Sequence, residues 1–210
     1  MIVVAGYLYL KWWMGKADMV TNAKVKYAGK LFSILGDSIS TFEGFNPEGF
    51  NVFYCGENCS TTGVVSPEWT WWYQVIHTLG GSLLVNNAWS GSRIARSRER
   101  EAQFPAACSD ERTSGLHRDD IQPDVIIVFM GTNDWFFEVP LKTGMFSQMG
   151  MHRDDTEFSY AYDLMLKKLQ TNYPTAKVWC CTLGEAYIAD HSEFIFPGDI
   201  WGCLCLSIIR

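Results

Sequence analysis

Ser38 closes the string Gly36-Asp37-Ser38, directly after an apolar run from Leu31 to Leu35 (LFSIL). A serine hydroxyl becomes a useful nucleophile when a base takes its proton and donors meet the oxyanion that develops on attack. Two further places in the chain offer such donors. Gly91 ends Asn87-Ala88-Trp89-Ser90-Gly91, and a glycine lets backbone approach a substrate closely. Asn133, in Gly131-Thr132-Asn133-Asp134, brings a side-chain amide that carries no charge to neutralise. With the N–H of Ser38 these make three donors, each typically worth about 3 kcal/mol of barrier. Each residue alone has a plainer use. Ser38 suits a turn or cap, Asn133 a loop, and Asp37 pins its own turn through backbone N–H groups. Asp134 reads as a structural acceptor. Arg93 can face a substrate carboxylate or phosphate, or a surface partner. Trp89 and Trp135 either wall an acyl or sugar pocket or pack in the core.

The elements that must position these residues follow from apolar periodicity. Leu31–Leu35, Leu83–Val85, Asp124–Met130 (DVIIVFM) and Ala176–Thr182 read as strands, the second breaking at Asn86-Asn87. Asp124–Met130 is β-branched and apolar throughout, as in a parallel strand covered on both faces. Glu68–Leu79 has apolar residues at Trp69, Trp72, Tyr73, Ile76 and Leu79, a helical spacing stopped by Gly80-Gly81. Asp155–Gln170 has a second stripe, Phe158, Ala161, Tyr162, Met165 and Leu169, with Asp155 or Thr156 as its cap. Strands alternating with helices imply βαβ units and a mostly parallel sheet. Working residues in such sheets lie just past the carboxyl ends of strands, which is where all three polar strings fall.

Three blocks in this order, each at a predicted strand end, resemble the first three blocks of the SGNH (GDSL) hydrolases. The wider strings ILGDSISTFEGFNP, NNAWSGSRI and PDVIIVFMGTNDW are similar to bacterial members, over roughly residues 29–182. The resemblance implies a flavodoxin-like three-layer α/β/α sandwich with a mostly parallel sheet. It implies an esterase or acylhydrolase working through an acyl-enzyme. By that resemblance Ser38 is the nucleophile, and the oxyanion hole is the N–H of Ser38 and Gly91 plus the side chain of Asn133. The implied substrate is a small-molecule or carbohydrate acyl ester, with no metal and no organic cofactor. Its acyl group and alcohol do not carry over.

The family's fourth block, D-x-x-H near the C-terminus, supplies the base and the acid that orients it. The four histidines here, His77, His117, His152 and His191, are preceded three positions back by Gln74, Ser114, Met149 and Ile188. None is acidic. His191, beside Asp190, is the one histidine placed late enough to stand in for the base. Residues 183–210 form an atypical tail where the family pattern expects a further helix, strand and closing helix. The expectation is a truncated or frame-shifted reading frame, with a compact variant or a pseudoenzyme as alternatives. Removing the histidine of a serine triad costs on the order of 10⁶ in kcat, so these 210 residues are expected to be weak or inactive. The competing reading is a non-catalytic carbohydrate- or acyl-binding module on the same scaffold.

Composition excludes other classes. The net charge is -6 and no Lys/Arg run exists to follow a phosphate backbone, so no nucleic-acid partner is expected. Neither G-x-x-x-x-G-K-[ST] nor G-x-G-x-x-G occurs, which argues against a nucleotide site. Ten mostly apolar residues precede Lys11, about half the roughly 20 that span a bilayer. Residues 1–28 read as a leader of uncertain status, with Met14 and Met19 as alternative starts. Seven cysteines cannot all pair, and a chain of this length folds without staples. They read as thiols of a reducing, cytoplasmic compartment, with a Cys55–Cys59 bridge and a secreted or surface location as alternatives.

Overall fold

The computed structural model describes residues 17–99, 104–141, 154–181 and 208–209. Four parallel strands form its centre: β1 (Leu31–Gly36), β2 (Ser82–Ala88), β3 (Val125–Phe129) and β4 (Lys177–Cys180). Their order across the sheet is β2-β1-β3-β4. The two-residue strand β5 (Ile208–Ile209) runs antiparallel along the outer side of β4. β1 is central, and its last residue, Gly36, lies opposite Ala88 of β2 and Phe129 of β3. The chain passes to one side of β1 for β2 and to the other for β3. The carboxyl ends of β1 and β3 therefore flank the point where the strand order reverses, the place where open parallel sheets bind ligands.

Both faces of the sheet are covered. On one face Phe32, Ile34, Val125 and Ile127 pack with Tyr27, the last residue of α1 (Ala17–Tyr27), and with Trp72 and Ile76 of α3 (Trp71–Thr78). On the other, Leu35, Ile126, Val128 and Val178 meet Phe158, Ala161, Met165 and Leu169 of α6 (Phe158–Asn172). The result is the expected three-layer α/β/α arrangement. The apolar run of β3 is buried because both layers close on it. Burying a side chain of this kind stabilises by roughly 1.5–3 kcal/mol.

Several local expectations are corrected. β2 does not break at Asn86-Asn87 but runs through both, because their buried side chains bond to backbone of other segments. The helix expected over 68–79 begins at Trp71. Residues 67–69 form a 3₁₀ turn, and Thr70 caps the helix by accepting from the N–H of Tyr73. Trp69 is therefore exposed rather than part of the buried stripe. The second helix starts after Glu157, so neither Asp155 nor Thr156 is its cap; Asp155 instead pairs with Arg96 at 2.8 Å. Three short helices have no periodic signature: α2 (Glu57–Thr62), α4 (Asp110–Ser114) and α5 (Thr132–Phe136). Cys55 and Cys59 are both free thiols. Residues 1–16, His152, His191, Cys203 and Cys205 lie outside the described residues.

Candidate active site

Ser38 opens a 3₁₀ turn (Ser38–Ser40) at the carboxyl end of β1. Asp37 caps this turn, its Oδ1 accepting from the N–H of Ile39 at 3.4 Å. The carbonyl of Ser38 accepts from the N–H of Thr41 at 3.1 Å and from its Oγ1 at 2.7 Å. Asn86 donates to the carbonyl of Ser40 at 2.7 Å, tying the turn to β2. Asn46 accepts from the N–H of Phe42 and donates to the carbonyl of Ala88, both at 2.9 Å. The serine is thus half-buried on a turn held from three sides. Gly36 makes this turn sterically feasible: a Cβ there would lie 2.5 Å from Ser40 Cβ and 3.2 Å from Ala88 Cβ. Gly36→Ala is therefore expected to lower stability by about 1–3 kcal/mol, the usual cost of overpacking, and to displace Ser38. Urea titration measures this, and a midpoint equal to that of the unsubstituted chain would contradict it.

The second block lies beside the first. The N–H of Trp89 donates to the carbonyl of Gly36 at 3.1 Å, carrying the β2–β1 ladder into the loop. The loop turns at Gly91 with φ +83°, and the Phe104 ring lies 3.3 Å from where a Cβ would be. A side chain there would be both strained and crowded. The third block clamps this loop. Asn133 Nδ2 donates to the carbonyl of Ser92 at 2.8 Å. An amide nitrogen carries two hydrogens, and among the described residues this bond uses one of them. Asp134 is 1 % exposed, and its two carboxylate oxygens accept from the N–H groups of Ile94 at 2.8 Å and Ala95 at 2.9 Å. Adjacent residues of α5 thus hold the Gly91–Ala95 segment at both its bend and its exit.

Sequence reasoning missed Arg112. It lies on α4 in a polar string, Ser109-Asp110-Glu111-Arg112-Thr113, that reads as solvated surface. Instead it is 0 % exposed. Its Nε donates to Asn87 Oδ1 at 2.7 Å, and its Nη1 to Ser92 Oγ at 2.6 Å and the Pro105 carbonyl at 3.1 Å. Its Nη2 donates to the carbonyls of Gly36 at 3.1 Å and Asn87 at 2.9 Å. Burial pulls its pKa down to about 10, which leaves it charged at neutral pH. No periodicity or motif distinguishes this arginine from its exposed neighbours.

Burial pushes the Asp37 carboxyl up to about 7 and that of Asp134 up to about 6, from an ordinary 3.8. Asp37 Oδ2 is buried with no hydrogen-bond partner among the described residues. A carboxyl that binds its proton more tightly when folded contributes most stability below its unfolded pKa. That contribution is lost as pH rises through the folded value. Both groups therefore lower stability between about pH 4 and pH 7 as pH increases. Asp37→Asn keeps an oxygen for the Ile39 N–H and removes one titration. Its melting temperature is expected to exceed that of the unsubstituted chain above about pH 7, with the gap closing toward pH 4. Calorimetric melts across this range would refute the assignment if the gap stayed constant.

Trp89, Arg93 and Trp135 lie on the segments that carry the second and third blocks. Trp89 stacks on Phe50 with ring centroids 3.9 Å apart and meets Phe104 edge-on at 6.5 Å. Arg93 is half-buried, its guanidinium 5.4 Å from the centre of the Phe137 ring. Trp135 is half-buried on α5, between Asp134 and the exposed Phe136. His77 is in the last turn of α3, beside the Gly80-Gly81 that leads into the start of β2. His117 lies 6.4 Å from the ring of Tyr173, beyond the end of α6 and before β4. Both histidines are therefore at the amino-terminal edge of the sheet, opposite Ser38.

A serine on a tight turn at the end of the central strand, with glycine and asparagine loops from both neighbouring strands beside it, defines the class: an α/β protein of the SGNH-hydrolase fold. The comparisons with known proteins agree. The family model described as GDSL-like Lipase/Acylhydrolase matches residues 30–190. A protein of known structure from Bacteroides ovatus, designated a GDSL-like lipase, is 27% identical with a TM-score of 0.60. The match covers 73% of this chain and 72% of that one. A second from Bacteroides uniformis, of the same designation, is 29% identical with a TM-score of 0.57, over 76% and 73% of the two chains. No functionally curated protein matches. The chain belongs to the GDSL-like lipase/acylhydrolase family.

Proposed function

We propose that this protein is a serine ester hydrolase whose nucleophile is Ser38. The observation that carries this reading is the Asn133–Ser92 hydrogen bond. It joins the asparagine amide to the Gly91 loop, beside the strand end that presents Ser38. In the proposed reaction Ser38 Oγ attacks the ester carbonyl and gives its proton to a base. The oxyanion of the tetrahedral intermediate meets the N–H groups of Ser38 and Gly91 and the second amide hydrogen of Asn133. Collapse expels the alcohol and leaves an acyl-Ser38 ester, which water then cleaves.

The base is the open position in this scheme. His77 and His117 are at the wrong edge of the sheet, and His191, by its place late in the chain beside Asp190, is the candidate for the base. Without a D-x-x-H pair, turnover by these 210 residues is expected to be low. The stacked Phe50–Trp89 pair gives the site a flat aromatic wall, which suits a sugar ring or an acyl chain. A fluorophosphonate probe with peptide mapping tests the proposal. Modification of Ser38 supports it, and modification elsewhere refutes it. The second reading, a binding module that holds an acyl or sugar ligand without turnover, is favoured by the missing D-x-x-H. Ligand binding by calorimetry with no labelling at Ser38 would select it.

A further inference from the structure

We propose that Arg112 is the positioning residue of the oxyanion hole, setting the donors of Ser38, Gly91 and Asn133 relative to one another. This rests on the hydrolase reading above and deepens it. One guanidinium bonds to two of the three blocks and reaches the third through Ser92. It holds the Gly36 carbonyl, two residues before Ser38, at 3.1 Å. It holds the Ser92 hydroxyl, one residue after Gly91, at 2.6 Å. Ser92 in turn accepts the Asn133 amide through its carbonyl at 2.8 Å. Asn87, at the end of β2, is gripped twice, through side chain and backbone. The Arg112 guanidinium also lies beside the Phe50–Trp89 pair, 5.7 and 5.9 Å from their ring centres.

The choice of an arginine is informative. A guanidinium has five N–H donors, and here all five go to neutral oxygens. A buried cation bonded in this way is costly to desolvate, and a neutral network would serve a purely structural role more cheaply. Its charge already feels the carboxylates of Glu111 and Asp37, and the place where the proposed chemistry would develop a further negative charge is the hole it frames. The electrostatic influence of Arg112 on Asp37, the residue next to Ser38, is consistent with that reach.

The test uses the chain with Ser92→Ala and with Arg112→Lys. Ser92→Ala removes one bond to Nη1, and Arg112→Lys keeps the charge but loses the planar fork. Phenylboronic acid is the probe. Its boron bonds to Ser38 Oγ, the serine proton goes to solvent, and the anionic tetrahedral adduct occupies the hole. Boronate affinity, thermal melts, and kcat and KM for p-nitrophenyl acetate are measured together. Ser92→Ala is expected to weaken boronate binding about 10-fold, and Arg112→Lys about 100-fold. In both, kcat should fall in parallel while KM stays within about threefold, since the hole acts on the transition state. A lowered melt with boronate affinity and kcat unchanged overturns the proposal and leaves Arg112 a structural residue. If Arg112→Lys fails to fold, Ser92→Ala decides by the same criteria. Boronate that binds Ser38→Ala as well as the unsubstituted chain, or that binds neither, overturns the hydrolase reading and this proposal with it. Loss in Ser38→Ala with no effect of Ser92→Ala and Arg112→Lys overturns this proposal alone.

Discussion

Ser38→Ala is expected to abolish fluorophosphonate labelling completely, because the bond to phosphorus forms at the atom removed. Its effect on turnover depends on what activates Ser38. In an intact serine triad the loss is on the order of 10⁶, and the oxyanion hole with substrate binding still leaves roughly 10³–10⁴ over water. This chain carries the proposed donors but no D-x-x-H, so its starting rate is expected to lie far below the roughly 10 per second typical of enzymes. The drop on Ser38→Ala is then expected to be correspondingly small. Hydrolysis of an activated acetyl ester, followed in both chains, gives the answer. A fast unsubstituted chain with a drop near 10⁶ would mean that a full base is present and would contradict the expectation of weakness. The substitution itself is mild for the fold. The Ser38 bonds that hold the turn use its carbonyl, which alanine keeps.

Asp134→Ala is expected to cause a large loss of stability. Its carboxylate satisfies two N–H groups, of Ile94 and Ala95, and both residues are buried. Alanine would leave both donors unpaired, at about 1–3 kcal/mol each. The sum, on the order of 4 kcal/mol, is a large part of the roughly 5–15 kcal/mol that holds a domain of this kind together. The damage also reaches function, because the segment released leads back to Gly91. Urea unfolding followed by circular dichroism measures the first effect, and boronate affinity under native conditions the second. A variant within about 1 kcal/mol of the unsubstituted chain would show that water replaces the carboxylate and that the clamp is dispensable. Asp134→Asn should fall between the two, since an amide has one acceptor oxygen for two donors.

These two residues also mark the boundary between what is readable in one dimension and what is not. The strands were legible because a covered strand must be apolar along its length, as Val125–Phe129 is. The α6 stripe was legible because Phe158, Ala161, Met165 and Leu169 recur at helical spacing on one buried face. With the rule that working residues of a parallel sheet lie past its carboxyl ends, these patterns pointed Ser38, Gly91 and Asn133 to one rim. The short helices were not legible, because segments of five or six residues carry no period. Asn86 and Asn87 read as a strand end because buried polar groups are normally excluded from a sheet interior.

The polar framework was decided by the tertiary structure alone. The Arg112–Gly36 bond spans 76 positions, and the Asn133–Ser92 bond spans 41. In both the acceptor is a backbone carbonyl, a group that nearly every residue carries identically. A sequence marks where apolar surface must be buried, because side-chain type sets that cost. It cannot mark which arginine is drawn inside when three of its five bonds go to main-chain oxygens, since nothing in those residue types distinguishes them. Only folding, which brings the ends of β1 and β2 and the Gly91 loop around one guanidinium, makes Arg112 different from Arg98, which is exposed.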